Sequence, residues 1–359
     1  MKSSKHRSAG SALRIACMWS ALAASAAVAP AYSQESQDKA AQFYRGKTVN
    51  LIVPFAPGGY YDTGARLVGR HIGNHIPGKP RVVVQNQPGA GGLGLANRFG
   101  AGAGNDGLTI GVLQRGLPLL ALTGDKNVRF DPLTMNWLGS ISAYSQDAFV
   151  LAVNTSAGVK SAAEVLNGSG KLKIGGNQSG STNLTLALIA REILGFKYEI
   201  VRGYRGASQI NMAQQSGEVD GQFADLSFFK TNMRAQWQGG KLVPIVQLGR
   251  RERLAELKDV PTARELVTDP KKKAFLIFAE SPFFMALPVA APVGIPAERV
   301  AALKAAFVAM GKDPAFLGEA KKINYVVDPI SGDAVLDIVK EAAKTPRDVI
   351  EQYKQIIAK

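Results

Sequence analysis

The chain has 359 residues, 46% hydrophobic and 20% charged, with a net charge of +15 and one cysteine. That composition excludes a disordered chain and a disulfide scaffold, and it leaves enough apolar residues for one large domain or two of ordinary size. The lysines and arginines are spread along the chain, the densest run is Lys271-Lys272-Lys273, and no basic-aromatic module accompanies them. No nucleic-acid partner is therefore expected, and the charge reads as general steering of anions.

Residues 1–33 have the order of a cleavable signal peptide. Lys2, Lys5, His6, Arg7 and Arg14 precede an apolar, alanine-rich run from Ile15 to Val28, and Ala29-Pro30-Ala31 or Ala31-Tyr32-Ser33 offers small residues for cleavage. The run is too short for a stable membrane span, and Cys17 lies at its start, the wrong place for a lipid attachment. Removing the segment leaves 39 basic and 28 acidic residues, a net +11, and no cysteine. The expectation is a soluble, exported protein without a thiol nucleophile or a sulfur metal ligand.

Gln34 to Lys47 leads in as a short helix. Val49, Leu51, Ile52 and Val53 form a buried strand ended by Pro54, Pro57-Gly58-Gly59 is a turn, and a helix follows with Ala65, Val68, Ile72 and Ile76 on one face. This strand, glycine loop and helix N-terminus aim free amides and a positive helix end at whatever sits in the loop, and an anion suits that place. An ordinary tight turn between strand and helix is the plainer alternative. Arg81 to Val84 is a second strand, and Asn86 to Gly92 a second glycine loop before the helix that begins at Leu93.

Gly89, Gly91 and Gly94 spell G-x-G-x-x-G, but after the second strand rather than the first. The next strand, Leu108 to Leu113, ends in Gln114-Arg115 where a dinucleotide site needs an acid. A phosphate-binding P-loop is absent too, and no cofactor is expected. Gln114 to Trp137 reads as a helix and a loop, and Asp147 to Val153 as a strand crossing into a second lobe. Leu172 to Ile174 is a strand, Gly175 to Asn183 a loop of small polar residues, and Leu184 to Leu194 a helix capped by Ser181 or Thr182. The opening design thus recurs in the second half, as two lobes sharing one ligand require. Strands at Tyr198–Val201 and Gly221–Ala224 follow. Leu242 to Leu248 returns to the first lobe, Ala274–Phe278 and Phe283–Val289 are strand-like, and four helices from Ala297 to Ile357 end the chain.

Val53 to Arg66 (V-P-F-A-P-G-G-Y-Y-D-T-G-A-R), Val82 to Gly92 (V-V-V-Q-N-Q-P-G-A-G-G) and Asn105 to Ile110 (N-D-G-L-T-I) resemble the signature of the Bug-type solute receptors, the periplasmic binding proteins of tripartite tricarboxylate transporters. Tyr204-Arg205-Gly206-Ala207, Gly217 to Phe223, Val260-Pro261-Thr262 and Ala291 to Pro296 extend the resemblance along the mature chain. It implies an α/β fold of two lobes, a type II-like Venus flytrap in which each lobe is a mixed sheet flanked by helices, joined by a two-strand hinge. The lobes would be 34–146 with 249–359, and 147–248. It implies a small mono-, di- or aromatic carboxylate held by backbone amides and small hydroxyls, a monomer, and delivery to transporter subunits or a sensor ectodomain.

On that basis the expected ligand-binding residues are Ala56, Pro57, Gly58, Gly59, Asp62, Ala90 and Gly91 from the first lobe, with Asp62 organising its loop. The second lobe would supply Ser179, Gly180, Ser181, Asn183, Tyr204 and Asp225. The family commonly has F-D-N where this chain has Phe223-Ala224-Asp225, and His where Asn183 stands. Asp225 would repel a ligand carboxylate, accept a bond from a ligand hydroxyl or ammonium, or merely cap the helix starting near Ser227. Phe228 and Phe229 are pocket lining or core. No metal site is expected: His71 and His75 share a helix spacing without a further ligand and read as surface residues. An exported hydrolase and a ligand-less interaction protein are the alternatives. The missing nucleophile-histidine pair argues against the former.

Overall fold

The computed structural model describes residues 29–177, 181–204 and 207–359, with side chains from residue 35 onward and without that of Ala207. Among the described residues eleven strands form two sheets: β1 (Thr48–Val53), β2 (Arg81–Asn86), β3 (Thr109–Val112), β4 (Asn136–Ser140), β5 (Phe149–Asn154), β6 (Lys173–Asn177), β7 (Glu199–Tyr204), β8 (Gly221–Asp225), β9 (Leu242–Leu248), β10 (Pro288–Ala291) and β11 (Ile330–Ser331). The first sheet has the order β11-β4-β10-β3-β1-β2 and the second β7-β6-β8-β5-β9. In the first, β1 runs parallel to β2 and β3, while β10 is antiparallel to β3 and β4. In the second, β6 is parallel to β7 and β8, and β5 is antiparallel to β8 and β9.

Both sheets are covered by helices, so inner strands such as β1 and β5 are apolar on both faces, while the edge strands β2 and β7 stay partly exposed. Val49, Leu51 and Val53 pack with Ala65, Leu67 and Val68 of the helix Tyr60–His71 in the core of the first lobe. Leu151, Val153 and Phe223 pack with Leu184, Ala187 and Leu188 in the second. The helix Thr182–Ile189 continues as a π-helical turn, Ala190–Leu194, which Gly195 ends in a left-handed conformation.

The connections between lobes depart from the expectation. The outward passage, 141–148, runs beside 281–287: Ala286 N–H donates to Ser142 O (2.8 Å) and Leu287 N–H to the Ser140 hydroxyl (3.1 Å). The strand β9 does not return to the first lobe, because it pairs with β5 in the second sheet. Beyond it, Gln247 bridges to Thr262, and Phe275, Leu276 and Ala279 join the core of the second lobe. The chain re-enters the first sheet only at β10. The segment expected as a strand at 274–278 lies in a helix, Pro270–Glu280, which Asp269 caps by accepting the Lys272 amide. The last helix, Arg347–Ile357, crosses once more and adds Val349 and Ile356 to the same core. The boundary drawn at 249 therefore separates from the second lobe two helices that add residues to its core, while their Phe278 and Ile350 also pack with Leu119 and Ala342.

Candidate functional site

Between the lobes lies a cavity of about 480 Å³ whose walls come from the C-terminal ends of β3, β6 and β8 and from two helix N-termini. Open α/β sheets bind ligands at such strand ends. The first lobe supplies Tyr60 and Tyr61 from the first turn of the helix Tyr60–His71, and Gln114 and Arg115 from beyond β3. The second supplies Phe149, Asn177, Phe223, Ala224 and Asp225 from strands, and Thr182, Asn183 and Phe228 from helices. Tyr144 comes from the passage between them.

Arg115 spans the two lobes. Its backbone N–H donates to the Tyr61 hydroxyl (3.2 Å), and its Nη2 reaches the Thr182 hydroxyl (3.4 Å). The guanidinium also lies 5.1 Å from the Phe283 ring centroid and 5.8 Å from that of Tyr144. Burial works to lower its pKa, yet the Tyr144 and Tyr61 hydroxyls and the Asp225 carboxyl outweigh it, and the net shift is upward. Arg115 is thus a fixed cation, and among the described residues no carboxylate forms an ion pair with it. Its planar fork suits a carboxylate. The sequence reading passed over this residue; a cation just beyond a parallel strand was the signal available.

Opposite it, Asn183 is 8% exposed, and its Oδ1 accepts from the Asn177 amide (3.3 Å) and the Ser181 hydroxyl (3.0 Å). Its Nδ2 and the Asn177 Oδ1 are buried without a partner among the described residues. Unpaired buried polar atoms are unfavourable, and these two line a cavity where a ligand would satisfy them. Ser181 stands at the helix N-cap, and its hydroxyl bonds to Asn183 rather than to a helix amide.

Asp225 does not cap its helix. It occupies the N-cap position of Leu226–Asn232 with no side-chain bond to the helix amides. Asp147 takes that role, its Oδ1 accepting the Ser227 amide (3.2 Å) and its Oδ2 the Ser227 hydroxyl (2.6 Å). Asp225 faces the cavity and accepts from the Tyr144 hydroxyl. Burial raises its pKa above the usual carboxylate range, Asp147 adds to the rise, and Tyr144 and Arg115 oppose it. The adjacent phenylalanines divide: Phe228 lines the cavity, while Phe229 is fully buried against Trp237.

The first-lobe loops are placed differently from expectation. Asp62 accepts the Gly58 amide (2.8 Å), the Arg66 Nε (2.9 Å) and the Asn86 side chain (2.7 Å). Burial works to raise its pKa, but these partners hold it below the ordinary value. Asp62 organises the loop and thereby consumes the Gly58 amide expected for a ligand. Ala56, Pro57, Gly58 and Gly59 are exposed and stand outside the cavity wall, which begins at Tyr60. Ala90 and Gly91 are likewise exposed, on a left-handed turn (φ 44° and 60°) that leads to Gly92, packed against Pro54 beside Gln114. Tyr204 lies outside the cavity as well: its hydroxyl donates to Glu218 (2.6 Å), and burial and Glu218 push its pKa up to about 12. Ser179 and Gly180 fall outside the described residues.

His71, at the end of the helix Tyr60–His71, and His75, four residues on, hold the helix Pro314–Lys322 and its cap Asp313 in place. His71, which is buried, meets Glu319 (2.6 Å), and His75 meets Asp313 (2.9 Å). Among the described residues no group of three or more His, Cys, Asp or Glu is placed to hold a metal.

Residues 68–358 match the tripartite tricarboxylate transporter family receptor. Over 79 residues the chain is 38% identical to Protein BugT of Bordetella pertussis, a match spanning 22% of this chain and 23% of that protein. A TctC solute binding protein from Polaromonas, solved without ligand, shares the fold with a TM-score of 0.66 at 19% identity, covering 88% of this chain and 99% of that one. MatC from Rhodopseudomonas palustris, solved with bound malate, gives 0.52 at 21% identity over 87% and 99%. The architecture is that of two-lobed periplasmic binding proteins.

Proposed function

The chain belongs to the tripartite tricarboxylate transporter receptor family, and on that premise we propose that it captures a small carboxylate between its lobes and presents it to a membrane partner. The observation that carries this reading is Arg115, a cation set in an aromatic cleft with no ion-paired carboxylate among the described residues. A ligand carboxylate there meets the guanidinium and the N-termini of two helices, Tyr60–His71 and Thr182–Ile189, one from each lobe. The unpaired Asn183 amide adds a further donor. Because Arg115 and Thr182 belong to different lobes, a ligand on both favours the closed arrangement. The malate bound to MatC agrees with a carboxylate as ligand.

Capture rather than turnover is the proposed role. The cavity wall carries no histidine, and the two in the described chain are engaged with Glu319 and Asp313. A thermal-shift screen over mono-, di- and aromatic carboxylates tests the reading. At least one acid should raise the melting temperature in a concentration-dependent way, and the same acid should be recovered unchanged after prolonged incubation. Stabilisation by none, or consumption of the acid, contradicts it.

Export follows from residues 1–33, and the partner would be the transporter's membrane subunits or a sensor ectodomain. No helix among the described residues is long and apolar enough to cross a membrane. The mature protein is expected in the periplasmic fraction, beginning at Tyr32 or Gln34. Intact-mass analysis checks this, and an uncleaved chain or a lipid on Cys17 would contradict it.

A further inference from the structure

We propose that the solute is amphoteric, carrying a protonated amine that Tyr144 and Asp225 hold while its carboxylate sits on Arg115. This rests on the carboxylate reading and deepens it. The cleft holds both signs of charge, Arg115 and Asp225, and both face the same cavity. Asp225 has no structural task in its helix, since Asp147 supplies the cap. Its Oδ1 is bonded to Tyr144, and among the described residues no lysine or arginine forms an ion pair with it.

A second cavity of about 240 Å³ meets the first at Tyr60, Tyr144 and Asp225. Its wall includes three carboxylates, Asp147, Asp225 and Asp328, and three tyrosines, Tyr60, Tyr144 and Tyr325, with no lysine or arginine among them. Arg250 lies behind this wall, its Nη1 donating to the carbonyls of Tyr144 (2.7 Å), Ser145 (2.7 Å) and Asp147 (3.1 Å). Aromatic faces and carboxylates together suit an ammonium group. The unpaired Asn183 amide, 8% exposed and lining the same cleft, independently points to a ligand there, and as a donor it serves the carboxylate end.

The test is calorimetry with matched acids that differ by one amine: 3-phenylpropanoate and phenylalanine, glutarate and glutamate, propanoate and β-alanine. The 3-phenyllactate analogue separates an ammonium from a hydroxyl. In the wild-type protein the amine member of the best-binding pair should bind roughly tenfold or more tightly than its amine-free partner, as a charge-assisted bond to a buried carboxylate implies. Asp225→Asn keeps the acceptor for Tyr144 and should abolish or reverse that preference. Equal or tighter binding of the amine-free acids, a preference for the hydroxyl analogue, or an amine preference unchanged in Asp225→Asn overturns the inference. If the amine-free acids bind in an Arg115-dependent way, the carboxylate reading survives that failure; if no member binds, both readings fall.

Discussion

Replacing Arg115 by alanine is expected to weaken binding of a small carboxylate by about 30- to 1000-fold, the equivalent of about 2–4 kcal/mol. The size follows from the setting. The guanidinium is enclosed by the Tyr144 and Phe283 rings, and a ligand carboxylate there would trade water for two parallel charge-assisted bonds. It also touches both lobes, so its loss removes a bond that favours closure. Arg115→Lys should fall between, because it restores the charge without the fork. Calorimetry with the strongest acid from the screen provides the measurement, and a urea unfolding curve close to wild type provides the control. Alanine within threefold of wild type would remove Arg115 from the site.

The second large effect is on stability. Arg264→Ala is expected to destabilise the protein by about 3–5 kcal/mol, because it leaves the Glu280 carboxylate buried without its partner. Glu280 is 1% exposed; it accepts from Arg264 Nε (2.7 Å) and from the Gly249 amide (3.0 Å). Burial already raises its pKa despite Arg264 and Gly249, and without Arg264 the rise is larger. A raised folded pKa means that folding favours the protonated acid. The deficit should therefore be full at neutral pH and shrink as pH falls toward the ordinary glutamate range. Denaturant unfolding at several pH values checks this. Adding Glu280→Met should recover much of the loss at neutral pH, and a deficit independent of pH, or unmoved by the second substitution, would contradict the account. The pair matters to the cleft because Gly249 turns the chain out of β9, with Arg250 next to it clasping the passage that carries Tyr144.

What could be read in advance divides along the range of the interactions. The strand, glycine loop and helix units are local, and the strands and helices that flank both loops stand where the sequence places them. Asp62 was also readable, because its bonds to Gly58 and Arg66 lie within four residues. Arg115 was not, since its meaning comes from Thr182, 67 residues away, and from the Tyr144 and Phe283 rings of the passages between the lobes. Asp147 and Asp225 are chemically alike and 78 positions apart, and only tertiary geometry decides which one caps the helix and which faces the cleft. The run Ala274 to Ala279 is apolar throughout, which cannot separate a buried strand from a buried helix. The preceding Asp269-Pro270 pair, an N-cap followed by a first-turn proline, held the answer. The return passage was misread for a related reason: β9 is apolar enough for either sheet, and its partner β5 fixes it in the second.

A crystal structure with the best-binding acid tests the central claim most directly. The account predicts density for a carboxylate within hydrogen-bond reach of the Arg115 guanidinium and of the first turn of the helix Thr182–Ile189, with the lobes closed on it. A ligand seated instead on the loops at 56–59 and 90–91, with Arg115 turned away from it, would contradict the account.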